Sequence, residues 1–297
     1  MPTSYWPEPG KLEALSSSSP SSVQFLRAIS RLLGWIYTLS WSASFYPQPL
    51  LNIRRHSTYG TTPAFPTLNV LGFFCYTTST VCFYYSPLIQ SQYRTRNNGE
   101  ENTVRANDVA FAVHALALCI LTLSQFWHSL WGFESRKARP GMGVWGIVVG
   151  CIVGIGWVIG MVMGKGLDSG RDPKSWAWID VVYAFGYVKL VVTVLKYIPQ
   201  ARANYQRKST VGWSINQILL DVIGGVLSIA QLVIDSSLQS DWSGLTGNPV
   251  KLGLGNVSII FDIVFMVQHY ILYKGNEVEE DGMDWERRGL IANEAAA

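Results

Sequence analysis

Seven apolar stretches, each about as long as the ~20 residues that a helix needs to cross a lipid bilayer, constrain this chain more than any other feature. They cover residues 24–46, 64–85, 108–131, 142–163, 176–199, 213–237 and 249–273. Charged residues make up 14% of the chain, against roughly 25% in an ordinary soluble domain. The segments between the stretches are rich in Arg, Lys, Pro, Asn and Gly, which suit aqueous loops. The sequence therefore predicts an all-α membrane protein with seven transmembrane helices.

Composition and charge exclude several other classes of protein. The net charge of +3 is spread over many short polar segments, so nucleic acid is not an expected partner. The four cysteines lie inside apolar stretches, at Cys75, Cys82, Cys119 and Cys151. Without a CxxC pair or a histidine at ligand spacing, we interpret them as packed free thiols and expect no metal or cofactor. Because no pair of nucleophile and base appears, we do not expect an enzyme.

An internal repeat determines the predicted architecture. The segment Phe45–Asn52 returns as Tyr197–Asn204, and the register continues without a gap into the next apolar stretch, where Asn69 lies over Asp221. Such an ungapped match is not expected by chance, so each repeat is predicted to be a three-helix unit. The units are offset by four helices, an even number. Both therefore run in the same direction through the membrane, as the parallel repeats of some transporters do.

The repeat divides the chain into five predicted segments. They are a disordered amino-terminal tail at 1–23, a first three-helix repeat at 24–131, a linker helix at 142–163, a second three-helix repeat at 176–273 and a cytosolic carboxy-terminal tail at 274–297. The linker helix carries glycines such as Gly150 and Gly154, and their spacing predicts close helix packing of the small-xxx-small kind. The predicted fold is two parallel three-helix bundles joined by a linker helix.

A proline-glutamine pair occurs in each repeat, as Pro47-Gln48 and Pro199-Gln200. A proline inside a helix removes one backbone hydrogen bond and leaves a kink, and the adjacent glutamine is expected to satisfy the backbone groups that the kink frees. A single proline of this kind is compatible with a static kink. Matched prolines in matched repeats favour a pair of hinges for alternating access.

Charged residues inside the apolar stretches indicate the chemistry. An ionised side chain at the centre of a membrane helix costs about 2.5–3.5 kcal/mol, so such residues usually serve a pathway or are paired. Asp221 and Asp262 lie deep in the sixth and seventh stretches, and Asp108 opens the third. Lys189 and Lys196 are seven residues apart and share one helical face. The lysines and acids form either structural ion pairs or a site where a carboxylate exchanges a proton; for Asp108 the alternative is a helix N-cap.

These motifs closely resemble those of the PQ-loop family of membrane transporters, and in particular its cystinosin branch. The resemblance rests on Phe45–Asn52, Lys189–Gln200 with Asn204, Leu219–Asp221 and Phe261–Asp262, and extends over about residues 34 to 273. It implies that the chain exports L-cystine, together with protons, from the lumen of a lysosome or vacuole to the cytosol. Asp221 would act as the proton-responsive acid of the substrate site.

The resemblance also implies roles for individual residues. The substrate site would be lined by Asn69, Lys189, Lys196, Tyr197, Gln217 and Asp221. Asp108 and Asp262 would join Asp221 in proton coupling. Cystine carries two ammonium and two carboxylate groups, so a cavity that offers lysines and an aspartate complements it. Gln217 departs from the family pattern, which has asparagine there; the amide is kept, but the side chain reaches further.

The charges of the loops decide the orientation by a narrow margin. Arginines and lysines number eight in the loops after helices one, three and five, and seven in the opposite loops. Lys274, Arg287 and Arg288 join the first group, so the positive-inside rule predicts a lumenal amino terminus and a cytosolic carboxy terminus. The carboxy-terminal tail also contains Glu286–Ile291, which we interpret as an acidic dileucine signal for sorting adaptors.

Two alternative functions remain open at the level of the sequence. A PQ-loop carrier of cationic amino acids or sugars would share the hinges with a cystine carrier. A seven-helix receptor would share the number of spans. The receptor is not favoured, because a receptor needs no internal three-helix repeat.

Overall fold

The protein is built from helices. The computed structural model describes residues 20–97, 99, 102, 104, 106–135, 139–164, 172, 175–239 and 249–274. In chain order the helices are α1 Pro20–Ser44, α2 Pro47–Arg55, α3 Ala64–Tyr85, α4 Pro87–Arg96, α5 Ala106–Ser124, α6 His128–Trp131, α7 Met142–Gly164, α8 Trp178–Leu195, α9 Tyr197–Arg207, α10 Ile215–Gln239 and α11 Pro249–Val267, which a π-helical turn, Gln268–Leu272, continues. Within these described ranges the backbone forms no strand beyond one bridge between Ser57 and Glu134. The predicted helical class is confirmed.

Every predicted apolar stretch contains a helix, but the bounds differ in places. α7 and the combined segment Trp178–Arg207 are long and apolar enough to cross a membrane, and shorter apolar helices occupy the third, sixth and seventh stretches. The single helix expected for 108–131 is wrong, because α5 ends at Ser124 and α6 is separate. The Ser124 hydroxyl donates back to Leu121 O, and Gln125 turns its side chain towards α2, so the helix does not continue.

The predicted tails fall mostly outside the described residues. The sorting signal at Glu286–Ile291 and residues 1–19 of the amino-terminal tail lie there. α1 begins at Pro20, so the expected disorder is wrong for residues 20–23. Proline suits the first turn of a helix because the N–H that it lacks would have no partner inside the helix.

The two repeats share their backbone conformation at matched positions. His56 and Lys208 cap the carboxyl ends of α2 and α9, and both are left-handed, with φ of 46° and 54°. Gly60 and Gly212 follow at matched positions, and both also have a positive φ, of 103° and 83°. A Cβ atom on either glycine would meet backbone atoms of the other repeat's loop, so both conformation and space require glycine. The repeat in the sequence is therefore also a repeat in the structure.

Each repeat packs its first helix against the other repeat. α1 packs along α10 and α8 packs along α3, so the first helix of each repeat lies against the second helix of the other. Gly72 of α3 faces Val192 of α8, and Gly224 of α10 faces the indole of Trp41 in α1. Within the repeats, α3 contacts α5 and α10 contacts α11. Glycines at matched positions allow both seams between the repeats to close.

α7 lies beside this assembly. The expected close packing through its glycines is wrong in the described part of the chain, because nothing lies within 4 Å of a Cβ atom placed on any of them. α7 packs instead through larger side chains, among them Ile147 and Cys151, against α3 and α8. Val153 and Trp157 are mostly exposed. Such an apolar exposed face is what a lipid-facing helix presents.

An ion pair joins the repeats where α3 ends and α8 begins, at the opposite end of these helices from the Gly60 loop. The Arg96 guanidinium lies 2.5 and 2.9 Å from the two carboxylate oxygens of Asp180, and the side chains are 11% and 20% exposed. Asp180 also accepts the N–H of Ala177 at 2.8 Å, and Gln92 accepts the N–H of Ile179 at 2.9 Å. α4 of the first repeat is therefore fixed to the first turn of α8.

Candidate functional site

The acids and lysines of the second repeat lie together where α8, α9, α10 and α11 meet. Tyr197 donates a hydrogen bond from its hydroxyl to an oxygen of Asp221 at 3.2 Å. The Lys196 ammonium lies 4.4 Å from the centre of the Tyr197 ring and 5.5 Å from the centre of the Phe65 ring. Tyr197 stacks on Phe261 of α11, with ring centres 5.4 Å apart. The Asp221 carboxylate therefore faces a tyrosine and a lysine rather than lipid.

Asp262 of α11 lies beside this cluster and is fully buried. Its side chain is 0% exposed, and its carboxylate oxygens make no hydrogen bond among the described residues. Asp221 and Lys196 are its charged neighbours. Burying an ionised carboxylate without a hydrogen-bond partner is costly. The position therefore suits a group that binds a proton or a cationic ligand.

Lys189 projects from α8 towards α3. Its ammonium lies 3.7 Å from the centre of the Phe73 ring and 6.0 Å from the centre of the Tyr76 ring, where ring faces attract cations. Over the ranges that the structure describes, neither Lys189 nor Lys196 forms an ion pair with a carboxylate, so the interpretation as structural ion pairs is not supported. Aromatic rings hold both ammonium groups, which can still bind the carboxylate of a ligand.

The remaining predicted residues lie around this cluster. Asn69 of α3 is buried, and its Oδ1 has no hydrogen-bond partner in the described part of the chain. Gln217 is half-buried one turn before Asp221, on the same face of α10. Asp108 is the third residue of α5, so the N-cap interpretation is wrong; the helix dipole favours a carboxylate there. Tyr76 is an electrostatic neighbour of Asp108, and its ring also lies near Lys189, so this acid lies on the Lys189 side of the site.

The glutamine of the first Pro-Gln pair binds the loop of the second repeat. Gln48 is 1% exposed. Its Nε2 donates to Gly212 O at 2.9 Å, and its Oε1 accepts the N–H of Ser214 at 2.8 Å. Thr61 supports this contact, because its hydroxyl also donates to Gly212 O, at 3.1 Å. The Gln48 amide therefore uses both its donor and its acceptor across the boundary between the repeats.

The glutamine of the second pair makes the same contacts in return. Gln200 is 0% exposed. Its Nε2 donates to Gly60 O and its Oε1 accepts the N–H of Thr62, both at 2.8 Å. Arg207 adds a hydrogen bond to Gly60 O at 3.0 Å. We refer to the four hydrogen bonds that Gln48 and Gln200 make to the opposite loops as the PQ lock.

The PQ lock corrects the expectations for the two Pro-Gln pairs. Pro47 is the first residue of α2 and Pro199 is the third residue of α9, so neither lies in the middle of a helix. Proline is tolerated in a first turn because the N–H groups there have no partner inside the helix. The chain bends before each proline, at Tyr46 and Lys196. The expectation that the glutamines satisfy groups freed in their own helices is wrong, because they bind the other repeat.

Two groups of residues near the site are not apparent from the sequence. Phe65 and Phe73 hold the lysines, but an apolar ring inside a span has the same pattern as an ordinary lipid-facing or core residue. Gln125 and Gln268, at the ends of the third helices, are 0% and 6% exposed. Their polar character inside apolar stretches was the available signal. The ungapped match ends within the second helix of each repeat, so it does not relate these two glutamines.

Known proteins share the repeat and most of the chain. Residues 29–89 and 181–241 match the PQ loop repeat family. A cystinosin homolog from Caenorhabditis briggsae is 40% identical over 276 residues, which cover 92% of this chain and 65% of that relative. A cystinosin homolog from Arabidopsis thaliana is 40% identical over 254 residues, which cover 84% of this chain and 87% of that relative. A cystine transporter from Saccharomyces cerevisiae is 24% identical over 258 residues, which cover 82% of this chain and 94% of that relative.

The coverage differs between these relatives. This chain spans 65% of the length of the nematode protein, whereas it spans 87% of the plant protein. In each case the similarity includes most of this chain. The yeast relative is named for transport rather than for catalysis, which agrees with the expectation that the chain is not an enzyme.

Proposed function

This chain belongs to the cystinosin family, and from this we propose that it exports L-cystine, together with protons, from the lumen of a lysosome or vacuole to the cytosol. The observation that carries the proposal is the buried cluster of Lys196, Tyr197, Asp221 and Asp262. The name of the yeast relative, cystine transporter, supports the substrate.

The proposed protein crosses the membrane seven times. The crossings are α1, α3, α5, α7, α8, α10 and α11, and the short helices α2 and α9 follow the first and the fifth crossing at matched positions. α7 joins two parallel three-helix repeats, and the amino terminus is lumenal. The helix found in every apolar stretch and the exposed apolar face of α7 support this arrangement. The loops of the PQ lock follow the first crossing of each repeat, so they face the cytosol.

The proposed substrate site complements the charges of cystine. Lys189 and Lys196 would bind carboxylates of the substrate, because aromatic rings rather than protein acids now hold their ammonium groups. Asp221 would bind a substrate ammonium, and Asn69 and Gln217 would add amide hydrogen bonds. Each of these charged hydrogen bonds is stronger than its neutral equivalent in a site that excludes water.

Proton coupling is proposed for Asp108, Asp221 and Asp262. Moving a loaded site through an occluded state is costly while its carboxylates are ionised, and a proton taken up from the acidic lumen removes that charge. Each pH unit across the membrane supplies about 1.4 kcal/mol for each coupled proton. This driving force corresponds to about a tenfold gradient of substrate.

Alternating access would require the PQ lock to open. In this structure the lock joins the loops after α2 and α9, which supports the proposal that these loops form a gate. The bends before Pro47 and Pro199 are the proposed hinges. Gln48 and Gln200 hold the closed form, and the cytosolic side opens when they release the opposite loops.

Cystine flux in proteoliposomes tests the proposed function. We expect uptake of radiolabelled cystine when the side that corresponds to the lumen is acidified, and uptake should fall when the pH gradient is collapsed at constant cystine concentration. Cystine flux that does not depend on the pH gradient would contradict proton coupling. If the protein is folded in the bilayer and gives no cystine flux, cystine is not its substrate.

Competition experiments address the alternative carriers. Unlabelled cystine is expected to displace the radiolabelled substrate, whereas arginine and glucose are not. Inhibition of the flux by arginine or glucose at the same concentration as cystine would indicate a PQ-loop carrier of cationic amino acids or sugars. A receptor would give no gradient-driven flux of any of the three compounds.

A further inference from the structure

Behind the PQ lock, the first repeat carries a chain of buried amides that ends on a backbone carbonyl. Gln48 Nε2 lies 2.9 Å from Asn52 Oδ1, and Asn52 Nδ2 donates to Gln125 Oε1 at 2.7 Å. Gln125 Nε2 then donates to Pro49 O at 3.0 Å. Gln48 and Asn52 are 1% exposed and Gln125 is 0% exposed. We refer to these three side chains as the first relay.

The second repeat carries the same arrangement, the second relay. Gln200 Nε2 donates to Asn204 Oδ1 at 2.9 Å, and Asn204 Nδ2 donates to Gln268 Oε1 at 3.1 Å. Gln268 Nε2 donates to Ala201 O at 3.0 Å. All three side chains are buried. Two independent occurrences of one arrangement, each completed by a glutamine from the third helix, indicate a common purpose.

The carbonyl at the end of each relay favours one direction for every amide in it, and two neighbours support that direction. Asn204 Oδ1 also accepts from Arg207 at 3.1 Å, and Gln48 Nε2 also lies 2.9 Å from Thr61 Oγ1. A carbonyl oxygen only accepts hydrogen bonds, so Gln125 must turn its NH₂ group towards Pro49 O and its oxygen towards Asn52. Asn52 must then present its oxygen to Gln48. Gln48 consequently offers its NH₂ group to the carbonyl of the other repeat and its oxygen to the N–H. If the Gln48 amide were reversed, its oxygen would face Gly212 O and its NH₂ group would face the Ser214 N–H, so the PQ lock would not form.

We propose that Gln125 and Gln268 are positioning residues that hold the PQ glutamines in the one orientation in which the two repeats lock together. The relay bonds lie within single repeats, so separation of the repeats leaves them intact. An intact relay keeps each glutamine ready to bind the opposite loop again. Without the relay, a buried amide that has lost its direction leaves donors and acceptors unpaired, which is costly.

The relays also connect the lock to the helices that carry the proposed proton-coupling acids. Gln268 directly follows α11, the helix of Asp262, and Gln125 directly follows α5, the helix of Asp108. A displacement of either third helix therefore reaches the PQ lock through one glutamine. This consequence rests on the proposed function, whereas the positioning role does not.

Amide hydrogen exchange of the full chain in lipid nanodiscs tests the two relays separately. Gln268→Met removes the amide at nearly constant volume, so Asn204 Nδ2 loses its acceptor and the orientation of Asn204 behind Gln200 rests on Arg207 alone. Exchange at the Thr62 N–H is then expected to rise about tenfold, the upper end of what one hydrogen bond contributes, while exchange at Ser214 stays unchanged. Gln125→Met is expected to do the reverse. Each variant thus acts on a loop of the opposite repeat.

Gln92→Met is the matched control. Gln92 is 1% exposed and accepts the N–H of Ile179, outside both relays. This variant should raise exchange at Ile179 and leave Thr62 and Ser214 unchanged. If loss of any buried glutamine loosened the protein in general, all three variants would raise exchange at both loops. A rise at Thr62 only in Gln268→Met and at Ser214 only in Gln125→Met, the crossed pattern, is therefore specific to the relays.

Transport kinetics give a second measurement. Gln268→Met is expected to lower the maximum rate of cystine flux without raising KM, because the Gln268 side chain bonds to Asn204 and Ala201 rather than to the residues proposed for the substrate site. Wild-type exchange at both loops in the relay variants, or an equal rise at both loops, overturns the positioning role. The crossed pattern in a protein without cystine flux would support the relays and reject the transport function. Each relay variant tests the role by itself, should the other fail to fold.

Discussion

The two repeats of this protein have the same scaffold but different chemistry. Their matched scaffold positions are His56 and Lys208, Gly60 and Gly212, Gln48 and Gln200, and Asn52 and Asn204. Where the second repeat has Lys196, Tyr197 and Asp221, the first repeat has Ser44, Phe45 and Asn69. The amides and glycines that hold the repeats together are thus present twice, whereas this part of the charged cluster is present once.

The contacts follow the same division. Tyr197 binds Asp221, but the equivalent Phe45 packs on the rings of Phe73 and Phe111 and cannot donate a hydrogen bond. Asn69, the equivalent of Asp221, has an unpartnered Oδ1 among the described residues. A gate between two repeats needs two complementary halves, so symmetry is useful there. A substrate site that also binds protons has no such requirement, and one repeat can supply most of it.

The largest expected effect comes from replacing Asp221 by asparagine, the residue that the first repeat has at the equivalent Asn69. Asp221→Asn should reduce gradient-driven cystine flux by more than about tenfold, since the variant keeps the shape of the site but cannot exchange a proton; a tenfold change is about 1.4 kcal/mol. The measurement is initial flux into proteoliposomes at a lumenal pH of about 5, near the ordinary range of carboxyl groups. Wild-type flux in this variant would contradict the role of Asp221.

Removing either half of the PQ lock should destabilise the protein to the same degree. Gln48→Leu and Gln200→Leu each leave one N–H of the opposite repeat without its acceptor, at an expected cost of about 1–3 kcal/mol. The carbonyls are less affected, because Thr61 still donates to Gly212 O and Arg207 still donates to Gly60 O. Thermal unfolding in detergent, followed by tryptophan fluorescence, measures the loss. Gln231→Leu is the control, because Gln231 is only partly buried and, among the described residues, its side chain makes one long hydrogen bond, at 3.4 Å to Ser30. A large difference between the two lock variants would show that the lock is not symmetric.

The matched glycines of the second helices should respond differently to alanine. A Cβ atom on Gly224 would overlap the indole of Trp41, whereas one on Gly72 would lie 3.1 Å from Val192 Cγ1. Gly224→Ala is therefore expected to lower the free energy of unfolding by about 1–3 kcal/mol. Gly72→Ala should be nearly neutral, because the gain in helix propensity, about 1 kcal/mol, offsets a small displacement. Equal effects of the two variants would mean that the α1–α10 seam is looser than its contacts indicate.

The smallest expected effect concerns the hydroxyl of Tyr197. Tyr197→Phe gives the second repeat the side chain that the first repeat has at Phe45, and it removes one hydrogen bond to Asp221 while keeping the stacking on Phe261. Cystine flux is expected to fall about three- to tenfold, in line with a bond of about 0.5–1.5 kcal/mol. Phe45→Tyr is the matched control and should leave the flux unchanged. An effect of Tyr197→Phe as large as that of Asp221→Asn would mean that the tyrosine itself carries the coupling.

Much of the architecture could be predicted because the signals are local. A stretch of about twenty apolar residues is a helix in a membrane whatever surrounds it, and a repeated segment such as Phe45–Asn52 folds in the same way twice. The acids of α10 and α11 were conspicuous for the same reason, since a charge in an apolar stretch needs a purpose. Errors arose where a polar side chain ended a helix early, as at Ser124 and Gln125.

By itself, the amino-acid sequence determined the helical class, the repeat and the identity of the buried charges, because each depends on residues close together along the chain. Only the tertiary structure decided that the PQ glutamines bind the opposite repeat, that the lysines rest on aromatic rings, and that Gln125 and Gln268 complete the relays. An amide has a donor and an acceptor that fit many partners. Its actual partners depend on which distant backbone groups packing brings within hydrogen-bond distance.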